Sequence, residues 1–592
     1  MKTVLRDEDL RERATIDGRV AFSVAAFASA AVLVALLDRV GVPEPVVGVL
    51  GPLFSIAGLI WLGMLMRSMR ISRFYAAGRA LPSSYAGLTL ASLATGLCIP
   101  FVPPVPPGVG FGTLAWGVGI GLVLVALVSG PLVRKTGAFS LTDLLAARFP
   151  NLSLRLALVV VVAVTSLLIA LAAYQTAALE ISHALGIQRP TAMLLTGFVI
   201  AAMILPGGTG GVVWSGAGAA GLLIAGFAMP LVLMMFAGTP LPAPVFGDAP
   251  AWSEAVSRIA GWTGHPVTLS DPVHWLVIGV IALGVSALAP LLAPAIGCSR
   301  LGSAQRAGVA SIVWVVVIAV LIGATVAVST LALGTSLEGL RPESLPGFIY
   351  QSSGRGLIAI CGKAVADPAA ARAACAALAG FKGQIRPADI STTGDFLMLA
   401  APMLRGFGVA LSGLVAAGVI AVSLVLTASS IQCIAVAIGH DALYRVRDAS
   451  ALTSHRLAAT RGVQIITIIA MGALLYGHAA DARTLIGLAI AFSAATFVPL
   501  LVLTLWPRAT GIDATLALLV SLATAEAVIM FGSPQPQIVQ LAMAAGAGCA
   551  LGLAVGIATS FLRAKDPTSP GGIFVTRLLH GQADVLNPDK AT

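Results

Sequence analysis

Long apolar runs fill the chain from residue 19 to residue 563, separated by short polar or basic stretches. A helix that crosses a bilayer needs about 20 apolar residues. By that measure the runs predict about fourteen spans, at roughly 19–37, 45–67, 82–103, 112–133, 154–183, 187–206, 212–238, 273–297, 307–335, 408–438, 460–480, 484–506, 512–533 and 538–563. Several runs are interrupted by Gly and Pro, most heavily from Pro100 through Val102, Pro103, Pro104, Pro106 and Pro107 to Gly108 and Gly110. Proline removes a backbone donor, and hydrocarbon offers no substitute partner for the carbonyl it frees. Such carbonyls must face protein, water or a bound solute. Broken helices of this kind form the solute and ion sites of secondary transporters near the bilayer midplane. The pattern predicts an all-α polytopic membrane protein with a carrier-like interior.

Composition removes the soluble alternatives. The 592 residues are 58% hydrophobic and 10% charged, with a mean hydropathy of +0.97. A soluble domain carries roughly a quarter charged residues. The net charge of +10 invites a nucleic-acid reading, but the basic residues sit in short loops, not in a stripe interleaved with aromatics. The partner they imply is the lipid bilayer, with no nucleic acid. Arg67, Arg70 and Arg73, then Arg134 and Lys135, then Arg300 and Arg306, then Arg445 to Arg461, all fall on one side when the spans alternate. Basic loops mark the cytoplasmic side. The expectation is a multi-pass protein of the cell inner membrane with both termini cytoplasmic. The first run, Val20 to Leu37, lacks a small-residue cleavage site and reads as a retained helix.

Two long loops then fall on the opposite side, about 239–271 and 334–405. The second holds Cys361 and Cys375 on either side of an Ala-rich stretch, and in an oxidising compartment this pair is a candidate disulfide; two free thiols are the alternative. Cys98, Cys298, Cys433 and Cys549 are too scattered for a metal cluster and suit packing as small apolar residues. There is no H-E-x-x-H, nucleophile elbow or Walker loop, so the chain is not expected to be an enzyme and no cofactor is expected. The tail 564–592 is too short to bury a core of its own.

Four segments carry a resemblance. Arg73-Phe74-Tyr75-Ala76-Ala77-Gly78-Arg79 resembles an "FYxAGR" stretch that precedes a first core helix. Gly137-Ala138-Phe139-Ser140-Leu141-Thr142-Asp143, followed by Arg148, is similar to a "G-x-[YF]-[ST]-[LF]-x-D…R" loop. Gly207-Gly208-Thr209 with Trp214 resembles a "GGM…W" turn, and Gly439-His440-Asp441-Ala442-Leu443-Tyr444 an "HDLY" helix end. In this order and spacing they resemble the sodium:solute symporter family, and within it the acetate/monocarboxylate permease-like branch, as a divergent member. The resemblance implies a LeuT-type core of two inverted five-helix repeats, with its first and sixth helices broken around a central site. On that plan residues 1–80 hold two extra helices, 81–507 the ten-helix core with its extracytoplasmic loop at 336–405, 508–563 two further helices, and 564–592 a cytoplasmic tail.

What the resemblance implies for function is cation-coupled symport of a small organic solute, such as a monocarboxylate, by alternating access. Na+ is the candidate coupling ion, and a small membrane subunit is a candidate partner beside solute and cation. The family's ion lies between the first and eighth core helices, which places Ser92, Thr95, Ser423, Thr427, Ser429 and Ser430 as candidate Na+ ligands. An ungapped match puts the family's paired hydroxyls at Val425 and Leu426. Gln175, Tyr174, Thr95, Trp214 and Ser215 are the candidate substrate contacts, and His440 with Asp441 a candidate gate or helix cap. Glu180 and His183 read as a solvated helix end, with a proton relay as the alternative, and Glu526 as a buried-looking acid, with packing near Ser521 and Thr524 or snorkelling as its alternatives. The central region offers an anion no Arg or His after Pro290. Two alternatives therefore stay open: a transporter-like sensor or regulatory protein, and a proton-coupled or uniport carrier without a Na+ site.

Overall fold

Two helices, α1 (Asp7–Val40) and α2 (Glu44–Leu65), lead through a short connector, α3 (Ile71–Ala76), into the bundle. The computed structural model describes residues 7–102, 111–236, 272–378, 380–386, 389–447, 450–477, 481–532, 537–562 and 570–580. The interrupted segment at 103–110 and the expected loop at 239–271 lie outside the described residues. After α3 the chain turns sharply through Ala77, Gly78 and Arg79, all at positive φ, and enters α4 (Ser83–Cys98). α4 tightens into one turn of 3₁₀ helix at Ile99–Phe101 and leaves helical geometry at Val102. Pro100 has no N–H to continue the α-helical ladder, which accounts for the change.

The next span is α5 (Phe111–Leu124) and α6 (Gly130–Thr136), joined through a π turn at Val125–Ser129. Pro131 opens α6 and cannot donate to the turn before it, a common cause of such bulges. Gly137, at φ 76°, ends α6 in the left-handed conformation that glycine adopts without strain. α7 (Leu141–Arg148) follows, capped by the Ser140 hydroxyl on the Asp143 N–H. Then come α8 (Leu152–Leu185), α9 (Arg189–Gly207) and α10 (Thr209–Phe236).

A second set of spans opens on another interruption. α11 (Pro272–Ser286) and α12 (Ala289–Gly297) meet at a 46° bend across Ala287 and Leu288. α13 (Leu301–Leu337) follows, then a loop region containing α14 (Gly347–Gly354), the strand β1 (Ile358–Ile360), α15 (Pro368–Ala376), the strand β2 (Ile390–Thr392) and α16 (Gly394–Leu404). The two strands pair antiparallel, with Ala359 opposite Ser391. The structure bonds Cys361 to Cys375, with their Cα atoms 5.1 Å apart. α17 (Val409–Val436), α18 (Thr453–Leu475) and α19 (Ala482–Leu505) close the set, and α20 (Gly511–Phe531) and α21 (Gln537–Phe561) run beside it.

Among the described residues, thirteen helices are long and apolar enough to cross a bilayer, or fourteen with the bent pair counted as one span. The chain is a multi-pass membrane protein. Its two sets of five spans each begin with an interrupted helix, as the broken-helix pattern led one to expect. The tail is more engaged than expected: α22 (Pro570–His580) buries Phe574, Val575 and Leu578, and Arg148 lies 5.9 Å from the Phe574 ring.

Candidate functional site

α17 runs through the middle of the bundle, with residues from Ser412 to Val436 buried almost without a break. Both interrupted helices reach it. At α4 the contact is made by Gly96: a methyl group there would sit 3.2 Å from the Val422 carbonyl oxygen and 3.2 Å from Leu426. At α12 the Ser429 hydroxyl donates to the Pro290 carbonyl, 3.2 Å away, where the bent span resumes. Proline at position 290 also takes one donor out of the first turn of α12.

The candidate Na+ hydroxyls divide into two groups. Thr427 donates to the Ser423 carbonyl at 2.8 Å and Ser430 to the Leu426 carbonyl at 2.9 Å, the back-bonding that spanning helices allow. A hydroxyl used this way keeps its lone pairs, so Thr427 can still coordinate a cation. Ser92 and Ser423 are buried, and among the described residues neither hydroxyl has a hydrogen-bond partner. Thr95 is 4% exposed, and its carbonyl accepts from Ile99 N–H. Leu426 packs into the seam at Gly96, so the seam carries hydroxyls and a leucine together.

Three of the expected substrate contacts point elsewhere. Tyr174 donates to the Met193 carbonyl at 2.6 Å and lies against Gly197 and Gly472, so it serves the packing of α8 on α9 and α18. Trp214 lies against Tyr85, ring centroids 4.8 Å apart and tilted by 47°, and packs with Leu81, Ala295 and Cys298 near the start of α4, two to three helical turns from Thr95. Ser215 faces out of the core and meets the Leu59 carbonyl of α2 at 3.3 Å. Each makes packing or hydrogen-bond contacts of its own here. Gln175 is half-buried, with its Oε1 shut off from solvent, and remains the candidate on α8. Glu526 is exposed on the flank of α20, not buried, which leaves the snorkelling alternative.

His440 and Asp441 belong to a polar lock at the basic-loop end of the bundle. Ser140 donates to Asp441 Oδ2 at 2.5 Å and Arg445 lies 3.5 Å from Asp143. His440 sits among Tyr75, Phe139 and Tyr444, with ring centroids 5.2 to 5.5 Å away. Burial raises the Tyr75 phenol above its ordinary value, against its hydrogen bond with Thr460. Asp143, His440 and Asp441 present ligand atoms within 4.8 Å of one another, a spacing that suits a metal ion. The donor set does not. Arg456 can only donate, and it does so to His440 Nδ1 at 3.2 Å, which leaves the proton on Nε2 and no free lone pair there. The cluster is a closure tying the loop after α6 to the end of α17.

Other polar residues escaped the sequence reading. Gln432 reaches both the Phe74 carbonyl at 3.4 Å and Thr209 at 3.2 Å, and accepts from Gln464. Arg483, at the opposite end of the bundle, donates to the Pro100 carbonyl at 2.8 Å. Glu180 is 1% exposed, not a solvated helix end, and Asp395 of α16 is a neighbouring group. Isolated polar residues in apolar runs were the available signal for Gln432 and Gln464; nothing local pairs residue 180 with residue 395.

Residues 74–336, under half of the chain, match the sodium:solute symporter family. An uncharacterized symporter of Cupriavidus necator is 31% identical over 159 residues, which make up 26% of this chain and 22% of that protein. Among solved structures, a substrate-bound, outward-open Na+-coupled sialic acid symporter superposes with a TM-score of 0.63 at 16% identity, covering 86% of this chain and 96% of that one. That likeness gives the fold, a LeuT-type core. Mhp1, a nucleobase-cation-symport-1 family transporter, scores 0.43 at 13% identity over 88% of this chain and 95% of its own. The families and folds found are those of transporters, not of enzymes.

Proposed function

We propose that this chain belongs to the sodium:solute symporter family and is a secondary transporter carrying a small organic solute with a cation by alternating access. The carrying observation is the meeting of both interrupted helices on α17: Gly96 against Val422 and Leu426, and Ser429 on the Pro290 carbonyl. The unpartnered hydroxyls of Ser92 and Ser423, with Thr427 beside them, form the cation site in this reading, and Na+ suits such neutral oxygens. A monocarboxylate is the proposed solute. Its charge would meet the N-terminal end of α12, whose aligned peptide dipoles favour an anion in the absence of a cationic side chain. The basic-loop end faces the cytoplasm and the membrane is the inner one, on the positive-inside rule.

One observation favours the competing reading, a carrier or sensor without Na+: Leu426 occupies part of the seam. Uptake into proteoliposomes decides between them. Labelled short carboxylates are offered under an inward Na+ gradient, a proton gradient, or neither. The expected result is Na+-driven uptake, with Ser423→Ala needing at least about ten times more Na+ for half-maximal rate, a loss of roughly 1.4 kcal/mol of ion binding. Equal uptake with and without Na+ refutes the ion site; solute binding with no uptake refutes transport.

A further inference from the structure

Among the described residues, α22 is the one helix that follows the last span, and its sequence explains why it docks. Phe574, Val575 and Leu578 recur at helical spacing and are buried in the main apolar core, while Ile573, Thr576 and Arg577 stay exposed. A helix of 11 residues that opens on Pro570, Gly571 and Gly572 is marginal in water by itself. Docking is therefore what keeps it helical. Residues 563–569 join it to α21, so it can leave and rejoin its site as a unit without unwinding a span.

The dock is Arg148, the last residue of α7. Arg148 is 3% exposed, and it donates to the Thr504 carbonyl at 3.2 Å and to the Trp506 carbonyl at 2.9 Å, at the end of α19. Its guanidinium lies 4.7 Å from the Phe149 ring and 5.9 Å from the Phe574 ring, within reach of cation–π contacts. The backbone of α22 comes closer still. A methyl group on Gly571 would stand 2.6 Å from Arg148 Nη1 and 3.1 Å from Cζ, so only glycine lets the first turn of α22 settle on the guanidinium.

α7 carries this contact to the polar lock. The helix is 8 residues long, too short to bend, and Ser140 at its other end both caps it and donates to Asp441. Asp143, in the same first turn, lies 3.5 Å from Arg445. One end of α7 thus holds the lock and the other is held by α19 and α22. Opening the basic-loop end requires α7 and the end of α17 to part. The α19 carbonyls belong to a span, so α22 is the tie that can be withdrawn.

We propose that α22 is an intramolecular brake: docked on Arg148, it holds α7 in place and keeps the basic-loop end shut, and undocking lets α7 leave Asp441. That the shut end is one of two alternating states rests on the carrier reading above; the coupling of α22 to α7 does not.

Amide hydrogen–deuterium exchange of the purified full-length chain in lipid nanodiscs tests the coupling without transport. Phe574→Ala with Leu578→Ala removes two of the three buried side chains. The expected result is exchange at least about tenfold faster within 570–580, and faster exchange as well within 141–148 and 437–447. Gly571→Val presses a side chain onto the guanidinium, leaves the apolar face intact, and should act the same way; it serves if the double variant does not fold. Thr576→Ala, on the exposed face, should change neither region. Wild-type exchange within 570–580 as fast as in an unfolded peptide overturns the proposal, and so does a variant in which 570–580 speeds up while 141–148 and 437–447 do not. Uptake by the same proteins should be faster once α22 is undocked, and equal or slower uptake overturns the brake. Coupled exchange with no uptake by any of them refutes the carrier reading alone.

Discussion

Gly284 on α11 lies one turn before the bend of the sixth core helix and touches the backbone of α19. A methyl group there would stand 2.3 Å from the Ile490 carbonyl oxygen, 1.1 Å inside the 3.4 Å at which ordinary contact begins. The obstacle is a main-chain carbonyl, so no side-chain rotation relieves it, and Gly284→Ala must push α11 and α19 apart. Ser493 donates to the Gly284 carbonyl at 2.8 Å across the same seam, and a separation of that size breaks the bond. Overpacking costs roughly 1–3 kcal/mol and the lost hydrogen bond about 1 kcal/mol. The helical preference of alanine over glycine returns up to about 1 kcal/mol, which leaves a net loss of roughly 1–3 kcal/mol. Gly279, on the same helix, has nothing within 4 Å of its would-be methyl, so Gly279→Ala gains the helical preference alone. Thermal unfolding of the two variants, followed by size-exclusion fluorescence, should move their midpoints in opposite directions. Equal midpoints, or a stabilised Gly284→Ala, would refute the claim that this seam is closed at the backbone.

The lock at the basic-loop end supplies a second prediction. Ser140→Ala removes the cap of α7 and the donor to the fully buried Asp441 at once, for about 1–2 kcal/mol from the cap and about 1–3 kcal/mol from the stranded carboxyl; Ser140→Thr should restore most of the midpoint. An unchanged midpoint in Ser140→Ala would mean that neither bond matters. The Cys361–Cys375 bridge, at a sequence separation of 14, restrains the unfolded loop by about 3 kcal/mol on the chain-entropy account. Replacing both cysteines by alanine should speed proteolytic cleavage within 338–405 and leave cleavage of the basic loops alone. Equal rates in both proteins would sink that expectation.

The spans were legible because a bilayer sets a length, and twenty apolar residues in a row have few other uses. The bend at Ala287–Leu288 was legible too, through Pro290 and Pro294. Facing was not. α8 and α10 are apolar on almost every side, so no polar stripe says which way Tyr174 or Trp214 turns. Family motifs fixed where these residues lie along the chain but not their rotation, and both proved to be packing residues. The burial of Glu180 was illegible for a further reason: its neighbour Asp395 lies 215 positions away, across the long loop.

The two closures differ in a way that bears on how such a bundle moves. At the basic-loop end, Asp143, Asp441, Ser140, His440, Arg445 and Arg456 hold one another, with aromatic rings packed around them. Breaking that lock strands several buried charges together. At the other end, among the described residues, Ser329 and Ser412 donate to the Leu397 and Leu399 carbonyls of α16, and Arg483 donates to the Pro100 carbonyl. A bundle alternates only if its two closures differ by no more than its ligands can supply, a few kcal/mol. Solute and cation binding at α17 would act on the first closure, since the end of α17 carries His440 and Asp441.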